Sequence, residues 1–512
     1  MTTPRLLLTV LFALAIGAAW IDREPKIEDR VKAGLQFHKI SDQDLWAENA
    51  VHLIYWEKWN GFEGEAMQAC VDAFNAHGKN ALSSQDSEYR RRFLSPSEKR
   101  IIVHLLSVTQ VNQKTLLAVS GGTPPDVAGL WSRDVPVYAQ YQAAMSLDHW
   151  IQRDASRPLA PSFQGKVSAS RMKGVDPAEY QPCFWSMCVY EGHVWALPTT
   201  PATVALHWNK ELFKKAGLDP ERPPKTLAEF DAFNEKLTRR DDNGRIVQMG
   251  FLPSEPGWWN YAWGNWFGGK HASTDGRTIT CDSPEWIAAY EWLNKIARSY
   301  GRSELIALKG GMGNFDSPQN GFISGKVAMV LQGVWMANFI RRYNPAMKWG
   351  AAPFPGPAGT PNDPVTLAQA DVLIIPRDCP HPEEAWKFIS YVNSRGDPDD
   401  PHAPLEGMEI VCLGQGKNTP FKSTSTLFRQ KHRHESLQVF MDLAGSRNAI
   451  IEPMMPMWNE YREACISSFE ELWTKGDDPG HSPREILKNL KERMQSKLDR
   501  EWERIDRNRH VP

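Results

Sequence analysis

Short apolar runs alternate with amphipathic stretches along the first quarter of the chain. Three runs, at Val51–Tyr55, Ile101–Leu106 and Val127–Leu130, are almost wholly apolar, which is typical of strands buried on both faces of a parallel sheet. Between them, residues 62–74 carry apolar side chains at helical spacing, and residues 110–120 predict a second helix before a Gly-Gly stop. The order β-α-β-α-β predicts a parallel sheet with right-handed crossovers.

The same alternation continues through the rest of the chain. Further strands are predicted at residues 194–197, 204–208, 246–251, 327–331 and 371–375, and further helices begin near Thr226, Ser283, Pro382 and Ser482. Thr226 and Ser482 are each followed three residues later by a glutamate, which is the pattern of a capping box. The first two of these strands flank a Pro-Thr-Thr-Pro segment, and prolines there suit an extended strand that crosses between two units. The pattern predicts an α/β protein.

The composition fits a large globular protein and argues against a nucleic-acid-binding class. The chain has 512 residues, of which 23% are charged, and its net charge is −2, whereas nucleic-acid-binding proteins show a basic surplus or a basic stripe. The length predicts two or more domains. Tryptophan is the one compositional departure, with 21 residues. Indoles suit large cores, and they also suit flat platforms for sugars.

The first residues have the pattern of a targeting segment. Arg5 precedes the apolar run Leu6–Trp20, which ends near small residues that would allow cleavage. Because this run is short for a bilayer span, we expect a signal peptide at residues 1–20, followed by a linker at residues 21–49. An uncleaved membrane anchor through residues 6–21 is the alternative. In both cases the mature protein is expected in the periplasm or another extracytoplasmic space.

Export would place the seven cysteines in an oxidising space. Cys183 and Cys188 are close enough in sequence to form a disulfide, and the alternative is that the cysteines are small buried apolar residues. Their spacing does not match a zinc site. We expect neither a metal nor a cofactor.

The residues after the third strand suggest a site for a polyol. Trp131 and Asp134 follow Val127–Leu130, and ligands of open α/β sheets bind beyond the carboxyl ends of the strands. An indole can cover the apolar C–H face of a sugar ring, while a carboxylate accepts hydrogen bonds from neighbouring hydroxyl groups. The alternative is a core tryptophan beside a helix-capping aspartate. Arg133, between the two, leaves an acidic sugar open.

Sequence motifs of common enzymes do not occur. Gly310–Gly313 lacks both the Lys-Ser/Thr ending and the preceding strand of a phosphate-binding loop. Neither Gly-x-Ser-x-Gly nor His-Glu-x-x-His is present. We therefore predict a binding protein rather than an enzyme.

Five stretches occur in the order of one known family. They are Gly121–Val127 before Trp131 and Asp134, Trp208–Leu218, Pro223–Phe230, Phe322–Met329 and Gly333–Trp335. Through them the chain resembles the extracellular solute-binding proteins of carbohydrate-importing ABC transporters, the group that contains maltodextrin-binding protein. The resemblance covers roughly residues 50 to 470.

This resemblance implies a two-lobe periplasmic-binding-protein fold, type II-like, with crossing hinge strands between the lobes and the ligand in the cleft. We expect lobe 1 to comprise residues 50–200 and about 370–422. Lobe 2 is expected to comprise residues from about 201 to 369 and 423–512.

The resemblance also implies ligand-binding residues, carried over one by one. They are Trp131, Asp134, Trp335, Glu255, Trp258, Trp259, Trp458, Glu57, Trp59 and Asn60. Glu255 and the two tryptophans after it resemble a Glu-Pro-aromatic stretch that lines the family's cleft. The last three residues match only by their position in the loop after the first strand. For each tryptophan the alternative is core packing.

The expected function is capture of a sugar or oligosaccharide by closure of the two lobes, followed by delivery to the transmembrane permease subunits of an ABC importer. The protein is expected to act as a monomer and without nucleic acid. Two other functions stay open. One is an exported glycosidase that uses Glu57, Asp134 and Glu255 as its carboxylates, and the other is a sugar sensor that works without a transporter.

Overall fold

The structure is a computed structural model, and it describes residues 36–37, 47, 49–156, 174–360, 363–432 and 436–509. The predicted signal peptide or anchor lies outside these residues, as does most of the predicted linker at residues 21–49. Within that linker, Gln36–Phe37 forms a two-residue strand. Across the described part of the chain, no helix combines the length and the apolar character needed to cross a membrane.

The chain alternates between strands and helices, as its hydrophobic pattern predicts. In order, the elements of the amino-terminal half are β1 (Gln36–Phe37), β2 (Ala50–Glu57), α1 (Gly61–Ser83), α2 (Ser87–Phe93), β3 (Arg100–Ser107), α3 (Val111–Ser120), β4 (Val127–Trp131), α4 (Val135–Gln140), α5 (Asp148–Ala155), α6 (Pro182–Ser186), β5 (Val189–Tyr190), β6 (His193–Val194), β7 (Leu197–Asn209), α7 (Lys210–Lys215), α8 (Leu227–Leu237), β8 (Arg239–Arg240) and β9 (Ile246–Phe251). Those of the carboxyl-terminal half are α9 (Trp263–Trp266), α10 (Pro284–Tyr300), α11 (Arg302–Gly310), β10 (Val327–Gly333), α12 (Met336–Tyr343), β11 (Trp349–Ala352), β12 (Thr366–Ile374), α13 (Pro382–Val392), α14 (Gly407–Gln415), α15 (Thr426–Lys431), α16 (Leu437–Gly445), β13 (Ala449–Ile450), α17 (Trp458–Lys475) and α18 (Pro483–Arg509).

Eleven strands form one continuous sheet. Its order is β1-β3-β2-β4-β12-β7-β10-β9-β8, with β11 paired to β7 and β13 paired to β12. β2 runs parallel to both β3 and β4, which confirms the parallel order predicted for the start of the chain. The sheet changes to antiparallel pairing where β12 joins β4 and β7.

β7 is the strand that connects the two halves of the sheet. Its first part, Leu197–Thr203, pairs with β12, and its second part, Val204–Asn209, pairs with β10 and β11. All thirteen of its residues are buried. The prediction of an extended crossing strand at the Pro-Thr-Thr-Pro segment is confirmed, whereas the prediction of two separate strands on either side of it is wrong. The segment itself is part of one long strand, because it is extended and lies beside β12.

Both predicted capping boxes are present. The Thr226 hydroxyl accepts from the Glu229 backbone N–H at 3.1 Å, and the Glu229 carboxylate accepts from the backbone N–H of Lys225 at 2.9 Å. At the start of α18 the box is fully reciprocal, since Ser482 and Glu485 each accept from the other's backbone N–H, whereas Glu229 accepts from the residue before the N-cap. These bonds satisfy backbone donors that a helix start leaves without intrahelical partners, so the local sequence sets where each helix begins.

Two separate groups of buried apolar residues define the lobes. In lobe 1, helices α1, α13 and α14 cover the sheet formed by β2, β3 and β4, with Phe74, Phe388 and Val411 in the core. In lobe 2, helices α8, α10, α17 and α18 cover β9 and β10, with Trp286 and Phe469 in the core. This two-lobe α/β arrangement confirms the predicted fold class.

The lobe boundaries stay a proposal. Phe428, on α15, packs in the core of lobe 1, so we propose that the second segment of lobe 1 continues past residue 422 to the end of α15. Phe440 and Leu443, on α16, pack with Ala205, Val334 and Ala351 of lobe 2.

Cys183 and Cys188 do not form a disulfide. The Cys183 thiol donates to the Ala444 carbonyl at 3.3 Å, and the Cys188 thiol donates to the Phe184 carbonyl at 3.8 Å. Burial raises the pKa of Cys183 to about 12. Burial raises the pKa of Cys188 as well, so both groups are neutral thiols packed among carbonyl and apolar groups.

A buried histidine in lobe 2 should make folding sensitive to acid. His271 lies among Tyr261, Trp286, Trp458 and Tyr461, with ring centroids 4.8–5.9 Å away. Neither of its ring nitrogens has a hydrogen-bond partner in the described structure. Burial lowers the pKa of this imidazole from 6.5 to about 3, because the apolar site disfavours the charged form.

We therefore expect the His271→Phe variant to lose part of the acid sensitivity of the wild type. Below pH 6.5 the unfolded chain binds a proton at this position and the folded chain does not, so stability falls until the pH nears 3. At pH 4.5 the loss is roughly 2–3 kcal/mol. Urea unfolding of both proteins at pH 7 and pH 4.5 measures it, and an equal loss of stability in the two proteins would contradict the assignment.

Candidate functional site

A cavity of about 460 Å³ lies between the two lobes. Its walls come from both lobes and from the crossing strands β7 and β12. The lining residues are Trp59, Glu63, Trp131, Ser132, Arg133, Thr200, Ala202, Trp258, Trp259, Phe315, Trp335, Phe339, Gln369, Ala370, Asp371, Lys417, Glu452 and Arg462. We call this cavity the cleft.

Five tryptophans face the cleft, two from lobe 1 and three from lobe 2. Trp59 and Trp131 belong to lobe 1, and Trp258, Trp259 and Trp335 belong to lobe 2. The lobe 2 indoles form one group, in which Trp335 lies 6.2 Å from Trp258 and 6.3 Å from Trp259 between ring centroids. All five are residues that the sequence predicted for ligand binding, so half of the predicted set meets at one cavity.

The fold brings these indoles together because they follow strand ends. Trp131 is the last residue of β4 and Trp59 comes shortly after β2, and these two parallel strands end at the same edge of the lobe 1 sheet. Trp335 follows β10 and is the N-cap residue of α12. Ligands of open α/β sheets bind at such carboxyl edges, and here two edges face each other across the cleft.

A buried lysine supports the indoles of lobe 1. The Lys58 ammonium lies 3.0 Å from Glu57 and 3.2 Å from Asp371. It also lies 4.6 Å from the Trp59 ring centroid and 5.2 Å from that of Trp131. Burial would lower the pKa of Lys58, but the Asp371 and Glu57 carboxylates outweigh burial and raise it. The cation stays charged and holds both rings by cation–π attraction.

A second lysine connects the aromatic walls of the two lobes. Lys417, which is 2% exposed, lies 4.6 Å from the Trp59 ring centroid and 5.8 Å from that of Trp335. Its ammonium is 3.3 Å from the Glu63 carboxylate. It thus places one positive charge, paired with one carboxylate, between an indole of lobe 1 and an indole of lobe 2.

Further polar groups line the hinge side and the rim of the cleft. The Thr200 hydroxyl donates to Asp371 at 2.5 Å, and Arg462 lies 3.4 Å from Glu452. Arg133 stacks over Trp131 with its guanidinium carbon 4.6 Å from the ring centroid. Lys417 and Arg462 are therefore ion-paired, whereas Arg133 contacts an indole and has no ion pair in the described part of the chain.

Five of the predicted residues do not line the cleft. Three of them are buried carboxylates, of which Glu57 and Glu255 are ion-paired inside the protein. Glu57 is 1% exposed and bonds to Lys58 and to the Tyr55 hydroxyl. Glu255 is buried in lobe 2, where it is ion-paired with Lys309. Each of these two carboxylates is stabilised inside the protein by an ion pair. The sequence pattern did not predict either pair.

Asp134 lies just behind the cleft wall. Its carboxylate accepts from the Asn459 amide of lobe 2 at 3.2 Å, and the other oxygen has no hydrogen bond in the described structure. Burial raises the pKa of Asp134, although the neighbouring Arg133 guanidinium acts in the opposite direction. The residue joins the two lobes rather than facing the cavity.

The remaining two predicted residues have structural positions. Trp458 is 1% exposed and packs in the core of lobe 2, as the core-packing alternative expects. Asn60 is exposed, and its side-chain oxygen accepts from the Ser107 hydroxyl at 2.5 Å.

Several polar residues of the cleft were not predicted from the sequence. They include Thr200, Gln369, Asp371, Lys417, Glu452 and Arg462. They come from distant segments and no motif connects them, so no local signal could have found them. Among the described residues, no group of three or more His, Cys, Asp or Glu side chains could hold a metal ion.

A cavity lined by indoles, placed between two α/β lobes that crossing strands connect, defines a two-lobed ligand-binding protein. Residues 105–397 match the family of bacterial extracellular solute-binding proteins. The chain belongs to this family, which confirms the resemblance inferred from the five sequence stretches.

Individual relatives agree with this assignment. A binding protein of Brucella abortus (strain 2308) is 24% identical over 379 residues, which is 72% of this chain and 79% of the relative. The sn-glycerol-3-phosphate-binding periplasmic protein UgpB of Shigella flexneri serotype 5b is 27% identical over 263 residues, or 49% of this chain and 51% of the relative.

Solved structures share the fold. CpMnBP1 with mannotriose bound superposes with a TM-score of 0.64 at 24% identity, covering 86% of this chain and 99% of that one. The sugar-binding protein MalE from Xanthomonas citri superposes with a TM-score of 0.64 at 19% identity, covering 88% and 98%.

Proposed function

We propose that this protein is the extracytoplasmic substrate-binding component of an ABC importer, and that it captures a sugar or oligosaccharide in the cleft between its lobes. The observation that carries the proposal is the meeting of five tryptophans from both lobes at one cavity of about 460 Å³. Indole faces match the apolar faces of sugar rings. Membership of the solute-binding family supports the transport role, and the permease is the proposed partner.

Closure would follow from contacts that a ligand makes with both lobes at once. A ligand shifts a conformational equilibrium only when it binds one state better than the other. A saccharide held between Trp131 of lobe 1 and Trp335 of lobe 2 meets both walls only when the lobes are close. Hinge closure around a ligand is established for periplasmic binding proteins.

Two indole donors beside the cleft have no hydrogen-bond acceptor in the described part of the chain. They are the ring N–H groups of Trp59 and Trp335, and both are buried. Buried polar groups are normally hydrogen-bonded. Because both N–H groups are closed off from solvent with the lobes in this position, a ligand hydroxyl would reach them only after the lobes move.

The charges of the cleft favour an uncharged saccharide over a phosphorylated one. Of the three cations that line the cleft, Lys417 and Arg462 each have a carboxylate within 3.4 Å, and Arg133 is the one without an ion pair among the described residues. A phosphate would have to compete with these carboxylates for the two paired cations. The UgpB relative is named for sn-glycerol 3-phosphate. This compound is therefore the phosphorylated ligand whose binding should be compared with that of a neutral saccharide.

The proposal is tested by calorimetry with mannobiose, mannotriose, maltose, maltotriose and sn-glycerol 3-phosphate. We expect at least one neutral saccharide to bind with a dissociation constant near micromolar, which corresponds to about −8 kcal/mol, and sn-glycerol 3-phosphate to bind more weakly. The saccharide should be recovered intact after incubation. Cleavage of the saccharide would favour the glycosidase alternative, and tighter binding of the phosphate would overturn the choice of a neutral ligand.

A further inference from the structure

A second cavity lies between the lobes, on the other side of the wall that bounds the cleft. Its volume is about 640 Å³. Helix α12 is shared by both cavities, since Trp335, at its N-cap, and Phe339 line the cleft while Asn338 and Arg341 line the second cavity. The turn after α14 is shared in the same way, with Lys417 in the cleft and Gly416 in the second cavity.

Cations from three separate elements surround the second cavity. Arg341 comes from the last turn of α12, Lys348 directly precedes β11, and Lys431 ends α15. Lys210 is also present, but it is paired with Glu221 at 2.6 Å. Glu221 is the one carboxylate of the described lining.

The first three cations have no carboxylate partner in the described part of the chain. Arg341 donates to the Asn338 side-chain oxygen at 2.7 Å, and among the described residues no ion pair involves Lys348 or Lys431. Lysine and arginine near the ends of helices are favoured by the helix dipole, which accounts for Arg341 and Lys431. It does not account for Lys348, which lies outside any helix and faces the same space.

The walls of the second cavity are contributed by both lobes. Ile340 of α12 packs with Val330 of β10 in lobe 2, whereas Phe428 of α15 packs in the core of lobe 1. The Asn338 amide bonds to the Gln415 carbonyl and closes the wall between the two cavities. An anion held here would therefore contact lobe 1 through Lys431 and lobe 2 through Arg341 and Lys348.

We propose that the second cavity binds a small anion of the phosphate class, and that the anion bridges the two lobes. Guanidinium and ammonium groups form strong charge-assisted bonds with phosphoryl oxygens. Separated cations on three elements match an anion with charge at more than one position better than a single carboxylate. This site goes beyond the proposed sugar capture, because its residues do not line the cleft.

Calorimetry with inorganic pyrophosphate on the full sugar-free protein tests the proposal. We expect the wild type to bind pyrophosphate. Lys348→Glu and Lys431→Glu, one from each lobe, should each weaken binding about tenfold or more. The matched controls are Lys79→Glu and Lys236→Glu, which change the net charge equally at exposed positions away from the cavity and should bind as the wild type does.

Three results would overturn the proposal. The first is no binding of pyrophosphate to the wild type, and the second is an equal loss of binding in the controls. The third is an effect of only one of the two cavity lysines, which would contradict an anion held between the lobes. Circular dichroism confirms that each variant is folded. Because no sugar is present, failure here leaves the proposed sugar site untouched.

Discussion

Replacing Trp131 by alanine is expected to weaken saccharide binding by about 2–4 kcal/mol, a loss of roughly 30- to 700-fold in affinity. Trp131 is partly exposed at the end of β4 and lines the cleft. Lys58 and Arg133 lie over its ring at 5.2 Å and 4.6 Å, so the indole is held in one orientation before a ligand arrives. Calorimetry with the saccharide that binds the wild type measures the loss.

Trp195→Ala is the matched control for this variant. Trp195 is also a partly exposed tryptophan of lobe 1, but it packs beside the core and donates to the Tyr190 carbonyl at 3.1 Å. Its removal should leave saccharide affinity within about twofold of the wild type. If Trp131→Ala is folded and binds as tightly as the wild type does, the ligand does not stack on this indole and the proposed site is wrong.

The parts of the fold that local sequence determines were predictable. The apolar run at residues 127–130 predicted β4, which is observed at Val127–Trp131, because a run this short and apolar fits a strand buried on both faces. The Thr226 and Ser482 capping boxes marked the helix starts for the same local reason. The end of β4 indicated Trp131 as a candidate ligand contact, because ligands of open α/β sheets bind beyond the carboxyl ends of the strands.

The choice between cleft and core could not be made from local sequence. Trp335 and Trp458 both lie near the start of a helix, yet one lines the cleft and the other is buried in lobe 2. The difference depends on how each helix is rotated against its neighbours, which contacts far along the chain decide. Trp458, for example, meets Tyr261 and His271.

The positions of the acidic residues could not be predicted from local sequence either, and here the reason is electrostatic. Glu57 and Glu255 were predicted to face a ligand, and each instead meets a cation inside the protein, Lys58 and Lys309 respectively. A buried carboxylate is stable only when it is paired or hydrogen-bonded. Lys58 directly follows Glu57, but Lys309 is 54 residues from Glu255 in sequence, so only the tertiary fold brings the second pair together.

Replacing Trp458 by alanine is expected to lower the free energy of unfolding by about 3–5 kcal/mol, the usual cost of removing a large aromatic side chain from a core. The ring is 1% exposed. Its centroid lies 4.8 Å from that of His271 and 5.8 Å from those of Tyr261 and Tyr461. Urea unfolding, followed by tryptophan fluorescence and by circular dichroism, measures the change in the transition of lobe 2.

Trp258→Ala provides the comparison, because Trp258 is 38% exposed in the cleft. We expect this variant to lose less than about 1 kcal/mol of stability, since little of its contact area is in a core, but to weaken saccharide binding. Trp458→Ala should show the reverse, with affinity near that of the wild type under conditions where it is folded. A Trp458→Ala protein as stable as the wild type but unable to bind saccharide would place this indole in the site, and would mean that the lobes pack differently around α17.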